Sequence, residues 1–563
     1  MKQKKARCFW ALLLILAIRS GAQEYNTVPL DHGAYDIIAI GVMRGIILSP
    51  PGAKPWSVHT VKGKLREMAN DSLQALAAEE VETVTRILDS LERKTGLELK
   101  EGMYRTVGEG FTFEAGLGWE SAFSVETPDA SVASVNIAKI YAGGDMQDFA
   151  SWNVTALGEL LYIERQKLGL PEREGYAIQS AFPFIYSKQW DGGVLSLRRP
   201  GEYAGWPDDP ALAGGLEAEL NAVFLNQLLQ LRLGRVRRDW GSEANGASLF
   251  LNAHARPFTA IEATVMPLSW LNISFLSGAL EHFREDSRWS DEGPFSNMLM
   301  AAQLEFNPLR YIHFGIGGAA VLINQPNAAL FSDLTLRLPG LFTLWGSLFL
   351  DRLYASSENF FFKNGNSYAY QAGIRTIVYW LPLATFTLRY TKVEPYCYTG
   401  TSGGSSGNGW TSPVSAFISG GESLGYYLPP NSDELLLRFE SKLFPAIDAH
   451  IQFQMIRHGV DYGYSAVPGS SLYDVLADDG SNKYFLMDGV YQWDNVIKIG
   501  GSLNLKAGGT PLAVYAETGV VMTNFTINGD VGVGNEADYQ PLDDSTYSGR
   551  TGFIFSIGFR VFR

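Results

Sequence analysis

At 563 residues the chain is too long for one soluble core, because such cores stop growing near ~250–300 residues, whereas a large barrel need not fill its interior with side chains. A formal charge of −14 argues against nucleic acid as a partner, and two cysteines are too few for a disulfide framework or a thiolate metal site. Apolar residues are spread evenly, and no stretch after the first segment reaches the ~18 apolar residues that a spanning helix needs.

The chain opens like an export signal. Lys2, Lys4, Lys5 and Arg7 form a basic start, Phe9 to Ile18 an apolar core, and Ser20-Gly21-Ala22 the small residues that a signal peptidase needs, although Arg19 sits awkwardly close to the cut. Cleavage after Ala22 is expected. It leaves 40 basic against 59 acidic residues, a net charge of −19, and Cys397 as the lone cysteine. Such a chain is periplasmic, secreted or an outer-membrane barrel.

Residues 23–108 read as a small helical domain. Tyr35, Ile38, Val42 and Ile46 follow helical spacing, with Asp31 as N-cap. Ser57 caps a second helix with Val58, Val61, Leu65 and Met68 on one face. A third runs from about Ala78 to Thr95, with Val81, Val84, Leu88 and Leu91 apolar, Glu79, Glu80 and Glu82 at its start, and Arg93, Lys94 and Gly96 at its end. Each helix has one apolar stripe, so the group must pack on itself or on something else. It is either a plug or envelope-binding module, or a folding cap.

From Phe111 the apolar period changes to two. Strands are predicted at 111–126, 134–143, 151–166, 176–187, 217–225, 228–237, 248–256, 260–267, 269–282 and 297–307. More follow at 310–323, 330–339, 341–353, 368–380, 383–393, 434–444, 446–458, 495–506, 511–526 and 551–562. Many are longer than the ~5–6 residues of soluble strands and match the ~9–11 of a tilted membrane strand. One set of connections is short and rich in Pro: Met266-Pro267, Asn307-Pro308, Leu338-Pro339-Gly340, Leu381-Pro382 and Phe444-Pro445, with Lys506 to Pro511 similar. The alternate set is long and polar: 283–296, 354–367, 395–433, 459–494 and 527–550. Short turns at one end and long loops at the other are the asymmetry of an outer-membrane barrel.

The faces agree. Leu334, Leu336 and Leu338 alternate with Asp333, Thr335 and Arg337, and Phe386, Leu388 and Tyr390 with Thr385, Thr387 and Arg389. In the hairpin at 434–456, Arg438, Glu440 and Lys442 share one parity. Charge on the lipid face costs roughly 2–4 kcal/mol at mid-depth, so the charged parity must face the lumen. The mixed signs suit an ion-paired, partly closed interior better than a pore selective for one sign. The last strand, with Phe553, Phe555, Ile557, Phe559 and Val561 on one face, resembles the signal read by the barrel-assembly machinery, except that Arg563 follows Phe562.

No catalytic or metal-binding constellation stands out, and no cofactor is expected. His254, His313 and His450 fall in predicted strands, with structural hydrogen bonds the expected role. Asp478-Asp479-Gly480 does not fit a calcium loop. The long loops carry Trp289, Tyr396, Tyr398, Trp410, Tyr426, Tyr427, Tyr462, Tyr464, Tyr473, Tyr491 and Trp493. Flat rings beside carboxylates suit sugars; interfacial girdles and loop packing use the same residues.

The most specific stretch is Leu233 to Pro257: Gly234-Arg235, Arg238-Asp239-Trp240-Gly241, Ser248-Leu249-Phe250-Leu251-Asn252-Ala253 and Ala255-Arg256-Pro257. It resembles the Wzi family of capsule-assembly outer-membrane proteins, with R-x-x-W-G followed by S-L-x-L-S-x-N-A-R-P. His254 stands where that family usually has Asn, and Glu243 interrupts its W-G-P-G run. The helices before a large barrel and Pro55-Trp56-Ser57 also look like that family. The resemblance implies an 18-stranded barrel closed by helices at its periplasmic end, acting as a surface lectin for capsular or related polysaccharide. Arg235, Arg238, Trp240 and Arg256 are then motif positions, which either touch the glycan or hold the loop to the lumen wall.

The expected fold is therefore an all-β transmembrane barrel of about 18 antiparallel strands, within a range of about 16–20, over 109–563, with a small N-terminal α-helical domain. The expected function is non-enzymatic: binding or tethering surface polysaccharide from the outer membrane. Candidate ligand contacts are Arg235, Arg238, Trp240, Arg256, Trp289 and Trp410, with no metal. Outer-membrane lipid, polysaccharide and the barrel-assembly machinery are the expected partners, and nucleic acid is not. A porin or substrate-specific channel, or a barrel anchored to peptidoglycan by its helices, are the alternatives.

Overall fold

A strand with one apolar and one polar face is stable in a membrane only if its edges are paired, which forces closure. The computed structural model describes residues 25–30, 32–70, 76–91, 98–100, 103–108, 111–127, 131–146, 149–164, 211–225, 228–241, 247–280, 297–322, 327–352, 366–402, 413–419, 422–444, 446–460, 469–470, 472, 488–507, 510–529 and 549–561. Their wall is a closed antiparallel barrel of 18 strands. In chain order these are β1 (Phe111–Glu126), β2 (Ser131–Met146), β3 (Ala150–Glu164), β4 (Ala211–Phe224), β5 (Leu229–Val236) and β6 (Phe258–Leu268). Next come β7 (Leu271–Leu280), β8 (Asn297–Leu309), β9 (Ile312–Leu322), β10 (Asn327–Leu338), β11 (Phe342–Arg352) and β12 (Ser367–Val378). The last six are β13 (Ala384–Val393), β14 (Ser432–Phe444), β15 (Ile447–Val460), β16 (Asp488–Ala507), β17 (Thr510–Gly529) and β18 (Arg550–Val561). Each pairs with its neighbour in sequence, and β18 closes the ring on β1 through Val561 opposite Trp119.

The two parities separate as the pattern requires. Leu334, Leu336 and Leu338 are 44%, 43% and 45% exposed on the outside, while Asp333, Thr335 and Arg337 are buried toward the lumen. On β18, Phe553, Phe555, Ile557 and Phe559 face out and Ser556 faces in. Trp270, Tyr311, Tyr379 and Trp380 lie exposed at the short-turn end, where aromatic rings suit a membrane interface. The lumen carries mixed ion pairs: Lys139–Glu120 at 2.8 Å, Arg560–Glu120 at 2.9 Å and Lys498–Glu517 at 3.2 Å.

Some expectations change. The segment predicted as a strand at 248–256 leaves the wall and lies inside the barrel, and His254 goes with it. The prediction at 176–187 lies outside the described residues, as do the signal segment and Asp478-Asp479-Gly480. Pro267 and Pro308 do not form the turns. They sit at register shifts, Val265/Leu268 and Phe306/Leu309, where a missing N–H is tolerated. Glu98–Lys100 and Met103–Gly108, grouped with the helices by sequence, are strands: Met103–Gly108 pairs with the first residues of β1. β16 and β17 are 20 residues each, so they run into stretches expected as loops.

The helices are α1 (Ala34–Met43), α2 (Val58–Ala69) and α3 (Ala78–Leu91). Ser57 caps α2 as expected, its Oγ accepting the Thr60 N–H at 3.2 Å. α1 starts after Gly33 without a side-chain cap, and Asp31 lies outside the described residues. α1 is buried on nearly every side rather than along one stripe, because it lies against both the other helices and the barrel. At Gly41 a Cβ would come within 2.5 Å of Met68 Sδ, so the residue's smallness allows α1 and α2 to meet. The group docks at the short-turn end. The Gly340 N–H donates to Met43 O at 2.9 Å, and Arg310 Nη1 donates to Gly45 O at 3.2 Å. The Leu383 N–H donates to Glu80 Oε1 at 2.9 Å.

Candidate functional site

The long motif between β5 and β6 folds into the lumen. Arg238 explains how. Its Nη1 donates to the carbonyls of Val236 and Phe258, both at 2.7 Å, and Nη2 to Gly234 O at 3.1 Å. Nε donates to Glu262 Oε1 at 2.6 Å, and the guanidinium lies 4.4 Å from the Phe258 ring centre. One planar side chain thus ties together the points where the chain leaves and rejoins the wall. Arg232, on β5, also reaches Glu262, at 3.1 Å, and donates to Pro55 O at 2.8 Å.

Beyond this staple the segment turns back on itself. The Trp240 N–H donates to Leu251 O at 2.9 Å, and Ser248 Oγ donates to Trp240 O at 2.5 Å. Phe250 stacks on Phe331 of β10 with centroids 4.2 Å apart. Asp239–Trp240 pairs antiparallel with Ala53–Lys54, so the N-terminal segment and this loop meet inside the barrel. There the Gly241 N–H donates to Gly52 O at 3.2 Å, the Gly52 N–H to Glu305 Oε1 at 2.7 Å, and Lys54 faces Asp239 at 3.4 Å.

The described parts of a third segment, 394–402, 413–419 and 422–431, enter between β13 and β14. Tyr398 OH donates to Leu249 O at 2.7 Å, and its N–H donates to Asp351 Oδ2 at 2.8 Å. Glu434 accepts from Tyr426, from Tyr427 at 2.9 Å and from Gln454 at 2.6 Å, and faces Arg389 at 3.3 Å. Burial raises the pKa of Tyr398, Tyr426 and Tyr427 well above 10, so their hydroxyls stay protonated donors. Burial, with Arg237 and Arg389 nearby, pushes His254 down to about 4. Tyr398, Tyr426 and Cys397 join Trp240, Phe250, Phe331 and Phe349 in one apolar core within the barrel.

Of the six candidate contacts, Arg235, Arg238 and Trp240 are buried, Arg256 is half-buried, and Trp289 and Trp410 lie outside the described residues. Tyr396, Tyr398, Tyr426 and Tyr491 are buried as well, so these rings pack the interior and offer no open platform. Tyr491 and Trp493 belong to β16. Glu434, which organises the third segment, was not singled out from sequence; its signal is its inward parity, opposite Thr391 and diagonal to Arg389 on β13. His313 Nδ1 bonds Asn307 at 2.6 Å and His450 Nε2 bonds Glu517 at 3.0 Å, the structural roles expected of them. Among the described residues no group of three or more His, Cys, Asp or Glu is placed to hold a metal. A cavity of about 40 Å³ between α1, residues 49–56 and Arg337 and Arg375 has room for water but not for a sugar ring.

No family model and no curated protein matches the chain. Among solved structures it is similar to Wzi of Escherichia coli, an outer-membrane protein involved in group 1 capsule assembly and described as a carbohydrate-binding β-barrel. The TM-score is 0.53 at 12% identity, over 96% of this chain and 99% of that one. The fold is that of an outer-membrane barrel. OpdK of Pseudomonas aeruginosa, solved with vanillate, scores 0.42 at 11% identity over 80% of this chain and 98% of that one. OccAB2 of Acinetobacter baumannii scores 0.41 at 9% identity over 80% of this chain and 98% of its own.

Proposed function

We propose that the chain is a non-enzymatic outer-membrane barrel that binds or tethers a surface polysaccharide, in keeping with its likeness to Wzi, a carbohydrate-binding barrel. The observation that carries the reading is the filled interior. A barrel of 18 strands is wide enough for an aqueous channel, yet three segments meet inside it, and Ala53–Lys54 pairs with Asp239–Trp240 across their junction. A solute channel has no use for that partition. A barrel that displays loops to a polymer gains rigidity from it.

In this reading Arg238 and Trp240 support the loops. Polymer contacts fall to the long connections, with Trp289 and Trp410 as the proposed aromatic contacts. Two measurements test it. Planar-bilayer recording of the full chain is expected to show no large steady conductance, whereas a porin would conduct. A glycan array is expected to retain the protein on acidic or neutral surface polysaccharides, with retention falling roughly tenfold in a Trp289→Ala, Trp410→Ala double variant. Steady conductance together with a blank array would overturn the proposal.

A further inference from the structure

One flank of the outer wall departs from the apolar rule. On β12–β16, at the long-loop end, residues of the lipid-facing parity form a row in direct register. Tyr370 lies opposite Lys392, Lys392 opposite Asp433, Asp433 opposite Arg457, and Arg457 opposite Trp493. They share the parity of the exposed Phe386, Ile451, Ile497 and Ile499. Arg457 Nε donates to Asp433 Oδ1 at 2.7 Å, Nη2 donates to Oδ2, and Tyr390 OH donates to the same carboxylate at 2.8 Å. The Arg457 guanidinium lies 4.9 Å from the Trp493 ring centre, and Trp493 Nε1 donates to Thr526 Oγ1 at 2.8 Å. Tyr368, Tyr370 and Tyr390 follow one another at 6.3 and 6.1 Å, and Lys392 pairs with Glu394 at 2.7 Å.

Height fixes what such a row can touch. From Arg457 down β15 to Ile447 at the short turn is ten residues. At ~3.3 Å per residue and a tilt near 40°, that is about 25 Å along the barrel axis, the depth of an apolar band. Arg457 therefore stands at the outer-leaflet headgroups, with Tyr370 and Lys392 lower on their strands and Trp493 higher. A general aromatic belt would encircle the barrel. Here the neighbouring flank, β7–β11, stays apolar at the same end, with Met298 opposite both Ala279 and Leu322, and Leu330 opposite Leu350.

We propose that this flank docks the phosphorylated sugar headgroup of an outer-leaflet glycolipid. Ring faces of Tyr368, Tyr370 and Trp493 suit the C–H faces of a sugar. Lys392 and Arg457 supply cations to its phosphates, each held in place by a carboxylate, Glu394 and Asp433. A glycerol phosphate headgroup lacks the ring that the aromatic residues would meet. The site lies outside the wall and away from the loops, so it stands or falls independently of the polysaccharide reading.

The test uses the full chain in vesicles of phosphatidylethanolamine with either rough-type lipopolysaccharide or phosphatidylglycerol, followed by native mass spectrometry after detergent exchange. Lipopolysaccharide is expected to stay bound and phosphatidylglycerol to be lost. A Tyr370→Ala, Arg457→Ala double variant is expected to cut retention roughly tenfold. Lys392→Gln, which leaves the Arg457–Asp433 pair intact, gives a smaller loss and serves if the double variant misfolds, as judged by heat-modifiable migration. Leu330→Ala on the neighbouring flank should change nothing. Equal retention of both lipids, equal retention by wild type and Lys392→Gln, or a dimer of the chain that the variants dissociate would each overturn the proposal.

Discussion

Arg238 shows how much one side chain can hold. It satisfies three backbone carbonyls and half of the Glu262 carboxylate inside the wall. Removing it leaves those carbonyls without that donor and weakens the compensation of a buried carboxylate. Breaking one partner of a buried pair costs about 3–5 kcal/mol, more than the net value of forming it. Arg238→Ala is therefore expected to destabilise the barrel by about that amount in denaturant unfolding from detergent micelles. Arg238→Lys should recover little, since an ammonium on a flexible stem cannot reach the four acceptors that the planar fork reaches. A loss below about 1 kcal/mol in Arg238→Ala would mean that the loop is held mainly by the packing of Phe250 and Trp240.

At the scale of the element, the docking of α3 turns on a carboxylate. Glu80 takes two bonds of 2.6 Å from Arg44 on the loop after α1, and accepts the N–H groups of Leu383 and Ala77. Burial opposes its ionisation, but Arg44 and the two amides outweigh burial and hold its pKa below the ordinary value. A lowered carboxylate pKa stabilises the folded state above the ordinary value and ceases to do so as pH falls through the depressed one. The helical group is thus expected to loosen from the short turns on acidification below the usual carboxylate range and to stay docked at neutral pH. Hydrogen exchange across α2 and α3 would report it, and Glu80→Gln should be loosened already at neutral pH, with little further change in acid. The same elements show what sequence can and cannot carry. Strand positions were legible because a wall between lipid and lumen enforces period two on every residue in it. That rule lapses at 248–256, where apolar residues pack among three segments rather than on two faces, so alternation no longer implies a strand. It lapses again at the far ends of β16 and β17, where polar composition reads as loop although the ladder continues. Helix α1 was placed within a few residues, but its nearly complete burial depends on the turns around Leu338 and Leu383, which lie some 300 residues away. Arg238 and Trp240 were found as motif positions. Their roles were not decidable, because most of their hydrogen-bond partners are backbone groups, which leave no mark in a sequence.

At the scale of the whole molecule, the interior is obstructed more than once. The helices dock at the short-turn end, residues 239–241 and 247–255 lie inside the barrel beside 52–54, and the described parts of 394–428 pack on them through Tyr398 and Leu249. These obstructions rest on different parts of the wall: Leu383 and Gly340 for the helices, Gly234, Phe258 and Glu262 for the first loop, Asp351 and Glu434 for the second. Removing one should therefore leave the others seated. Deleting 25–91 is expected to produce little conductance, and so is replacing 239–255 alone with a short Gly/Ser link. Combining the two should open a pore, because only the 394–428 segment then remains, having lost both Leu249 and the N-terminal strap beneath it. The step is expected to be more than additive, with single variants near the baseline of the full chain and the double variant conducting as a wide channel. If the 25–91 deletion conducts fully by itself, the helices are the sole seal and the inner loops line an open path, which would return the porin reading to first place.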